Sequence, residues 1–186
     1  MTRQCTIAGV VMLQEAVQTA TQQPAAMAAV EQVYADLQRQ IDLRKPICKT
    51  SGRCCRFDEF GHRLYVTTLE LAAFARGLIH FKSQISNLQF SILSPPAACP
   101  FQLDGLCSVH SIRPFGCRVF FCDATSNQWQ HEQYEHFHAT LKQLHERFSV
   151  PYRYVEWRQA LRELNLSPPP DAANPPGRLS LPQLRL

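Results

Sequence analysis

The chain has 186 residues and a formal net charge of +4. This length suits one domain with its own hydrophobic core, so the cysteines are not needed as staples for a small fold. The charge is too small to indicate a nucleic-acid-binding protein, and no apolar run is long enough for a membrane span. The run IAGVVML lacks the basic start and the cleavage region of a signal peptide. We therefore expect a cytoplasmic protein that binds neither nucleic acid nor membrane.

The first quarter of the chain predicts two helices. One is expected over residues 6–21, and the next begins at Pro24, because proline suits a first helical turn. Apolar residues of the second helix recur at steps of three and four, which predicts one face packed on the core. These residues are Met27, Val30, Tyr34, Leu37 and Ile41. Pro46 ends this helical region.

The middle of the chain predicts a short strand followed by a helix. GHRLYVTT has the β-branched and aromatic content of a strand. Thr67 and Glu70 then match a capping box, and Gly77 lies where we expect the helix to end. Residues 78–98 show no single period, so we expect an irregular segment with at most one short helix.

The last third predicts two more helices and a tail. In WQHEQYEHFHATLKQLHERF the apolar residues again step by three and four, which predicts an amphipathic helix. They are Tyr134, Phe137, Leu141, Leu144 and Phe148. YVEWRQALRELN, after Pro151, predicts a shorter helix. From Ser167 onward the proline-rich sequence indicates a flexible tail.

Seven of the eight cysteines lie in two segments, CKTSGRCC and CPFQLDGLCSVHSIRPFGCRVFFC. In a cytoplasmic chain such clusters more often bind metal or do redox work than form disulfides. A metal held by both segments would close the long loop between them and remove chain entropy from the unfolded state. The candidate ligands are Cys48, Cys54, Cys55, Cys99, Cys107, Cys117 and Cys122.

The spacing of these cysteines differs from that of two zinc knuckles, in which two to four residues separate paired ligands. Cys54 and Cys55 are adjacent, so both can serve one mononuclear site only if the backbone turns sharply. Either one of them binds and the other packs, or the centre is polynuclear. Gly52 and the pair Asp104-Gly105 supply the turn positions near the cysteines.

Basic side chains accompany the cysteines. Arg53, Arg56 and Arg118 each adjoin a cysteine in sequence, so they could offset the negative charge of a thiolate centre and lower thiol pKa values. The alternative is that they are solvated at the surface.

The remaining cysteine and the histidines are weaker candidates. Cys5 lies in an apolar setting far from the others, which favours a free or buried thiol. His62 and His110 are nearer the cysteines in sequence than the other histidines. His131, His136, His138 and His145 lie on or near one predicted helix, where packing or solvation is the more common role.

CKTSGRCC, CPFQLDGLC and RPFGCR resemble the motifs of the YkgJ-type cysteine-cluster family, described as zinc- or iron-chelating proteins. The resemblance covers about residues 45–123, and Arg113-Pro114 belongs to it. It implies zinc or iron as the bound metal, including an iron–sulfur cluster. Many members carry a further cysteine where this chain has Ser51. Flagellin lysine N-methylase has similar cysteine motifs and an iron–sulfur centre, but no motif for a methyl donor is evident here.

Together these features predict a mainly α fold with short β elements. Its irregular, metal-stapled cysteine-cluster core is flanked by N- and C-terminal amphipathic helices. The predicted parts are a helical segment over 1–44, a metal-binding domain over 45–128, packed helices over 129–166 and the tail over 167–186. We expect a metal-binding protein, with an iron–sulfur oxidoreductase or group-transfer enzyme as the alternative. The first is favoured because no dinucleotide, phosphate-loop or hydrolase motif is present.

Overall fold

The computed structural model describes residues 12–84 and 98–166, without the side chains of 81–84. These ranges are mainly helical with short antiparallel strands, as the sequence predicted. The helices are α1 (Leu13–Thr21), α2 (Pro24–Arg44), α3 (Thr68–Gln84), α4 (Phe115–Val119), α5 (Asn127–Arg147) and α6 (Trp157–Glu163). The strands are β1 (Tyr65–Thr67), β2 (Gln102–Leu103), β3 (Leu106–Cys107) and β4 (Tyr154–Glu156). Within the described ranges, every helix is too short or too polar to cross a membrane.

The N-terminal helices follow the sequence pattern closely. Leu13–Thr21 is helical as expected, whereas residues 6–11 of the predicted helix lie outside the described residues. Pro24 is the first residue of α2, and Arg44 is its last. The apolar stripe of α2 faces the core, with Met27, Val30 and Leu37 fully buried. This face packs against α3 and α5, while α1 lies on α3.

Helix α3 begins as predicted but ends later. The Thr67 backbone N–H donates to Oε2 of Glu70 over 2.8 Å, which confirms the capping box. Gly77 does not end the helix, which continues to Gln84. A Cβ at Gly77 would lie 3.0 Å from Cγ2 of Ile112. This glycine therefore allows a close approach between α3 and the 3-10 turn His110–Ile112, and the prediction of a helix end there was wrong.

The predicted helix after Pro151 begins later than expected, because its first residues form strand β4. Tyr154–Glu156 pairs antiparallel with Tyr65–Thr67, and Val66 faces Val155 across the pair. The β-branched and aromatic side chains of these segments suit a two-stranded pairing. The Glu156 carboxylate then accepts from the Gln159 N–H over 3.0 Å, so the helix begins at Trp157.

An aromatic group at the centre of the core joins the helices to the second cysteine segment. Phe74 on α3 contacts Phe101 and Trp157, with ring centroids 5.3 and 4.8 Å apart. All three side chains are almost completely buried. The amphipathic face predicted for α5 also packs inward, with Phe137, Leu141 and Leu144 buried. The tail predicted over 167–186 lies outside the described residues.

Candidate metal centre

The two cysteine segments touch each other through their backbones. The Cys99 N–H donates to the carbonyl oxygen of Cys55 over 2.7 Å. Nε2 of Gln102 donates to the carbonyl oxygens of Gly52 and Gly105 over 2.9 and 3.2 Å. A Cβ at Gly52 would lie 1.9 Å from the Gly105 oxygen, so only glycine permits this approach. Segments far apart in sequence are thus brought together by the polypeptide itself.

Two turns present the thiols at this junction. Strands β2 and β3 form a hairpin whose turn residues, Asp104 and Gly105, have φ of 48° and 80°, as the turn signal predicted. The hairpin separates Cys99 from Cys107 in sequence but brings both to one end of the core. The adjacent pair Cys54-Cys55 lies in a 3-10 turn, Arg53–Cys55. This is the sharp backbone turn that allows neighbouring side chains to serve one site.

Cys55 lies at the centre of the thiol cluster. Its side chain lies close enough to those of Cys107, Cys54 and Cys99 for the four thiols to shift one another's pKa values. Cys55 and Cys99 are buried, whereas Cys54 and Cys107 are partly exposed. The seven cysteines of the described ranges are all free thiols. The structure therefore gathers thiols from both segments around one buried cysteine.

Contact with the protonated Cys55 thiol shifts the pKa values of the neighbouring thiols. Hydrogen bonding to the three neighbouring sulfurs raises the pKa of Cys55. The same contact, from Cys55, lowers the pKa of Cys54 to about 6 and that of Cys107 to about 7. It also lowers the pKa of Cys99. The contact with Cys55 therefore favours negative charge on the neighbouring sulfurs, and thiolate is the form that binds metals.

Three further cysteines lie beside the cluster. Burial raises the pKa of Cys117, which lies close enough to Cys99, Cys107 and Cys54 to interact with their charges. Cys48 is exposed, and the Cys122 sulfur lies 3.7 Å from Oγ of Ser51. A cavity of about 110 Å³ is lined by six of the seven cysteines. They are Cys48, Cys54, Cys55, Cys107, Cys117 and Cys122.

Cys99, the seventh cysteine, does not line this cavity and lies against the aromatic core. The indole N–H of Trp157 donates to its sulfur over 3.4 Å. Such a donor stabilises negative charge on the sulfur. The tryptophan was not predicted as part of the site, because its position in sequence, 58 residues after Cys99, carries no signal of this contact.

The number of sulfur donors suits a metal site, but their arrangement in this structure is not that of a metal site. Within residues 12–84 and 98–166, no group of three or more His, Cys, Asp or Glu side chains is arranged to hold a metal ion. The thiols instead contact one another through Cys55. Sulfur donors of this number suit zinc and iron–sulfur clusters, so the chemistry of the residues fits either group.

The arginines next to the cysteines in sequence have other contacts. The guanidinium groups of Arg53 and Arg56 lie over the Phe60 ring at 4.4 and 4.9 Å. Arg118 lies over the Tyr34 ring at 4.4 Å, although it also interacts electrostatically with Cys117. Arg53 and Arg56 therefore fit the expectation of surface arginines better than that of arginines that offset the charge of a thiolate centre.

Arg113 is the arginine that faces the thiols. It lines the cysteine cavity, and its charge lowers the pKa values of Cys54 and Cys107. Its Nη1 donates to Nε2 of His110 over 2.5 Å. Its buried Nε has no hydrogen-bond partner among the described residues. The sequence drew attention to Arg113 only through the pair Arg113-Pro114, and the approach of its side chain to the thiols was not predicted.

The histidines divide as their positions in sequence suggested. His145 is buried, with Nδ1 donating to the Val150 oxygen over 3.1 Å, and packs in the core. His138 contacts the Tyr152 hydroxyl. His62 donates from Nε2 to the Cys54 oxygen over 3.3 Å, and His110 lines the cysteine cavity. The two histidines expected to be nearer the cysteines are therefore the ones that lie beside them.

No family model, curated protein or solved structure matches the chain. The features that bear on function are the thiols gathered around Cys55, the charged and aromatic side chains beside them, and the adjoining cavities.

Proposed function

We propose that this protein is a thiolate metal-binding protein that holds zinc or iron, the latter as an ion or an iron–sulfur cluster. The observation that carries the proposal is the contact of Cys55 with Cys54, Cys99 and Cys107 across the two cysteine segments. Four sulfur donors satisfy the tetrahedral preference of a structural zinc site and the four-thiolate ligation of common iron–sulfur clusters. Cys117 is a neighbouring fifth donor.

The resemblance to the YkgJ-type family supports the same proposal. Its motif residues Cys54, Cys55, Cys99 and Cys107 are the ones that meet in space. Ser51, which replaces a cysteine common in that family, has its Oγ 3.7 Å from the Cys122 sulfur. The substitution therefore affects the outer cysteines and leaves the four inner thiols intact.

The residues around the inner thiols would each contribute to binding. Cys55 must release its proton, and the four side chains must turn toward a shared centre, since metal binding displaces thiol protons. Arg113 and the Trp157 N–H lie where they offset part of the negative charge of the sulfurs. A bound metal would supply a cross-link between the two segments and add its binding free energy to the folding free energy.

Metal analysis of protein purified without oxygen tests this proposal. We expect stoichiometric zinc or iron in the wild-type chain and its loss in Cys55→Ser, which removes the central thiol. Cys5→Ser is the matched control, because Cys5 lies far in sequence from both cysteine segments and is not a candidate ligand. A folded, metal-free wild-type protein would overturn the proposal, as would a Cys55→Ser variant that keeps its metal.

A catalytic role for the same centre has one supporting observation. A second cavity shares Cys54 and Cys117 with the cysteine cavity, so a molecule bound there would reach the thiols. An oxidoreductase or group-transfer enzyme needs such a place for a substrate. The absorption spectrum separates the two cases at the level of the metal, since zinc is colourless and iron–sulfur clusters are brown.

A further inference from the structure

A second cavity, of about 310 Å³, adjoins the thiol cluster. Cys54, Cys117 and Phe120 line both this cavity and the cysteine cavity. Its volume is at the lower end of the range for small-molecule sites, about 300–1,000 Å³. An organic molecule held in it would lie against two cysteines of the proposed metal centre.

Half of the residues that line it carry an aromatic ring, and we call it the aromatic cavity. The His62 ring stacks on Phe120 with centroids 5.6 Å apart and meets Phe57 edge-on at 5.4 Å. Tyr65 stacks on Tyr154 at 5.3 Å. The ring-bearing residues of the lining are Phe57, His62, Tyr65, Phe120, His131, Tyr134 and Tyr154. Flat walls of this kind favour a planar ring, which gains stacking energy in addition to burial.

Contacts behind the walls hold them in place. The Tyr134 hydroxyl is hydrogen-bonded to that of Tyr154, which ties α5 to strand β4. Oε1 of Gln130 accepts from the Phe121 N–H over 2.8 Å. A Cβ at Gly116 would lie 2.6 Å from Cδ1 of Leu64, so α4 packs directly on this part of the wall. The cavity is thus lined by residues of β1, α4, α5 and β4 and of the 3-10 turn that holds Cys54.

Among the residues that line the cavity, Arg63 carries the formal charge. The described residues that line it include no aspartate or glutamate, whereas Arg63, His62 and His131 are basic. Arg63 and His131 are exposed, so they lie at the mouth rather than at the base. The Asp58 carboxylate, which interacts electrostatically with Arg63, is already hydrogen-bonded by Arg158. A ligand with its ring inside and a negative group at the mouth complements this arrangement.

We propose that the aromatic cavity binds a small planar aromatic carboxylate. The ring lies between Phe120 and the tyrosines, close to Cys54 and Cys117, and the carboxylate lies toward Arg63. This proposal rests on the proposed function in one respect only, namely that a metal centre would lie beside the bound ring. Binding of the ring and of the carboxylate depends on the cavity itself.

Fluorescence titration with 2-naphthoate tests the site in the full chain, and 2-naphthalenemethanol serves as the uncharged match. We expect saturable binding of naphthoate that is tighter than that of the alcohol. Arg63→Gln should weaken naphthoate about threefold and leave the alcohol unchanged, because an exposed charge pair contributes under about 1 kcal/mol. Phe120→Leu should weaken both ligands about tenfold, because it removes a stacking surface but keeps an apolar side chain.

Arg147→Gln is the matched control for charge, since Arg147 lies over the Phe148 ring and does not line the cavity. A thermal melt of each variant shows that it is folded, and Arg63→Gln changes only an exposed side chain. The proposal is overturned if naphthoate does not bind saturably, if the alcohol binds as tightly, or if Arg63→Gln and Arg147→Gln behave alike.

Metal content is measured on the same samples, so the two proposals fail separately. Metal-free protein that binds naphthoate would contradict the metal centre and leave the ligand site standing. Metal-loaded protein that does not bind naphthoate would contradict the ligand site alone. If iron is present, naphthoate should also shift the absorption of the centre, because its ring lies beside Cys54 and Cys117.

Discussion

A cysteine-to-serine series separates the inner thiols from the outer ones. From the sequence alone, we expect metal retention to need Cys54, Cys99, Cys107 and Cys117, to depend less on Cys48, Cys55 and Cys122, and not to need Cys5. Because Cys55 lies beside three other cysteines in the structure, we now expect it to be needed for metal retention as well. We expect Cys54→Ser, Cys55→Ser, Cys99→Ser and Cys107→Ser each to lose the metal and to melt earlier. A site held at 100 times its dissociation constant contributes about 2.7 kcal/mol, which sets the scale of the loss.

Cys5→Ser is the control of this series, and metal analysis with a thermal melt is the measurement. Cys5 lies outside the described residues, so its dispensability stays a prediction from the sequence. The ranking is wrong if Cys5→Ser strips the metal, or if Cys107→Ser changes neither metal content nor melting.

Glu70 makes a pH-dependent contribution to stability. Burial raises the pKa of this carboxyl from 4.5 to about 7, although its oxygens accept from the N–H groups of Thr67 and Phe115. The folded state therefore binds more protons than the unfolded state between about pH 4.5 and 7. The free energy of unfolding then falls as the pH rises through this window, by up to about 3 kcal/mol at 1.36 kcal/mol per pKa unit.

Glu70→Gln should remove this slope. The amide keeps one acceptor and loses one hydrogen bond, which costs about 1 kcal/mol at low pH. Above pH 7 the variant should be as stable as the wild type or more stable, because it buries no charge. Urea unfolding of both proteins from pH 5 to 8 measures the difference, in which effects of cysteine protonation cancel. Parallel pH profiles would contradict this account of Glu70.

At the scale of elements, the contact between the two cysteine segments depends on Gly52. Gly52 and Gly61 have nearly the same positive φ, 65° and 64°, but a Cβ at Gly61 meets nothing within 4 Å. Gly61→Ala should therefore cost only the strain of the left-handed conformation, about 1 kcal/mol. Gly52→Ala adds a clash with the Gly105 oxygen and should cost about 3 kcal/mol.

Denaturant unfolding and metal analysis of the two alanine variants measure this difference. Gly52→Ala should also lose metal, because the clash separates the segments that carry Cys55 and Cys99. Equal destabilisation by both substitutions would show that the backbone contact does not hold the segments together.

Local patterns predicted most of the elements, and long-range contacts explain the exceptions. The stripe of α2, the Thr67–Glu70 cap and the Asp104-Gly105 turn depend on neighbouring residues, so they were readable in the sequence. Gly77 was taken as a helix end because its contact with Ile112, far along the chain, is not local. The sequence pattern placed strand β4 inside a helix, because its antiparallel partner lies 89 positions earlier in the chain, at the pair Val66↔Val155.

The candidate site likewise combines features that neighbouring residues indicate with features that depend on long-range contacts. The cysteine-rich segments were evident from the sequence, whereas a sharp turn at Cys54-Cys55 was given only as the condition for both cysteines to serve one site. The central position of Cys55, the approach of Arg113 and the indole donor of Trp157 depend on how distant segments pack. Those contacts have no signature in residue spacing, and so they were not predicted.

At the scale of the whole molecule, the tail is expected to be dispensable. Residues 167–186 lie outside the described residues, and the expectation rests on their proline-rich composition, since such stretches bury little apolar surface to offset the entropy of ordering. Deleting them should leave metal content unchanged and shift the melting temperature by less than about 3 °C, which corresponds to about 1 kcal/mol in a chain of this size. A clearly lower melting temperature would show that the tail docks on the folded part.

The central claim concerns a metal held between the two cysteine segments, and metal analysis of the anaerobically purified wild-type chain tests it most directly. The account predicts zinc or iron in stoichiometric amount, with an absorption spectrum that distinguishes colourless zinc from a brown iron–sulfur cluster. A folded protein that contains neither metal would contradict it.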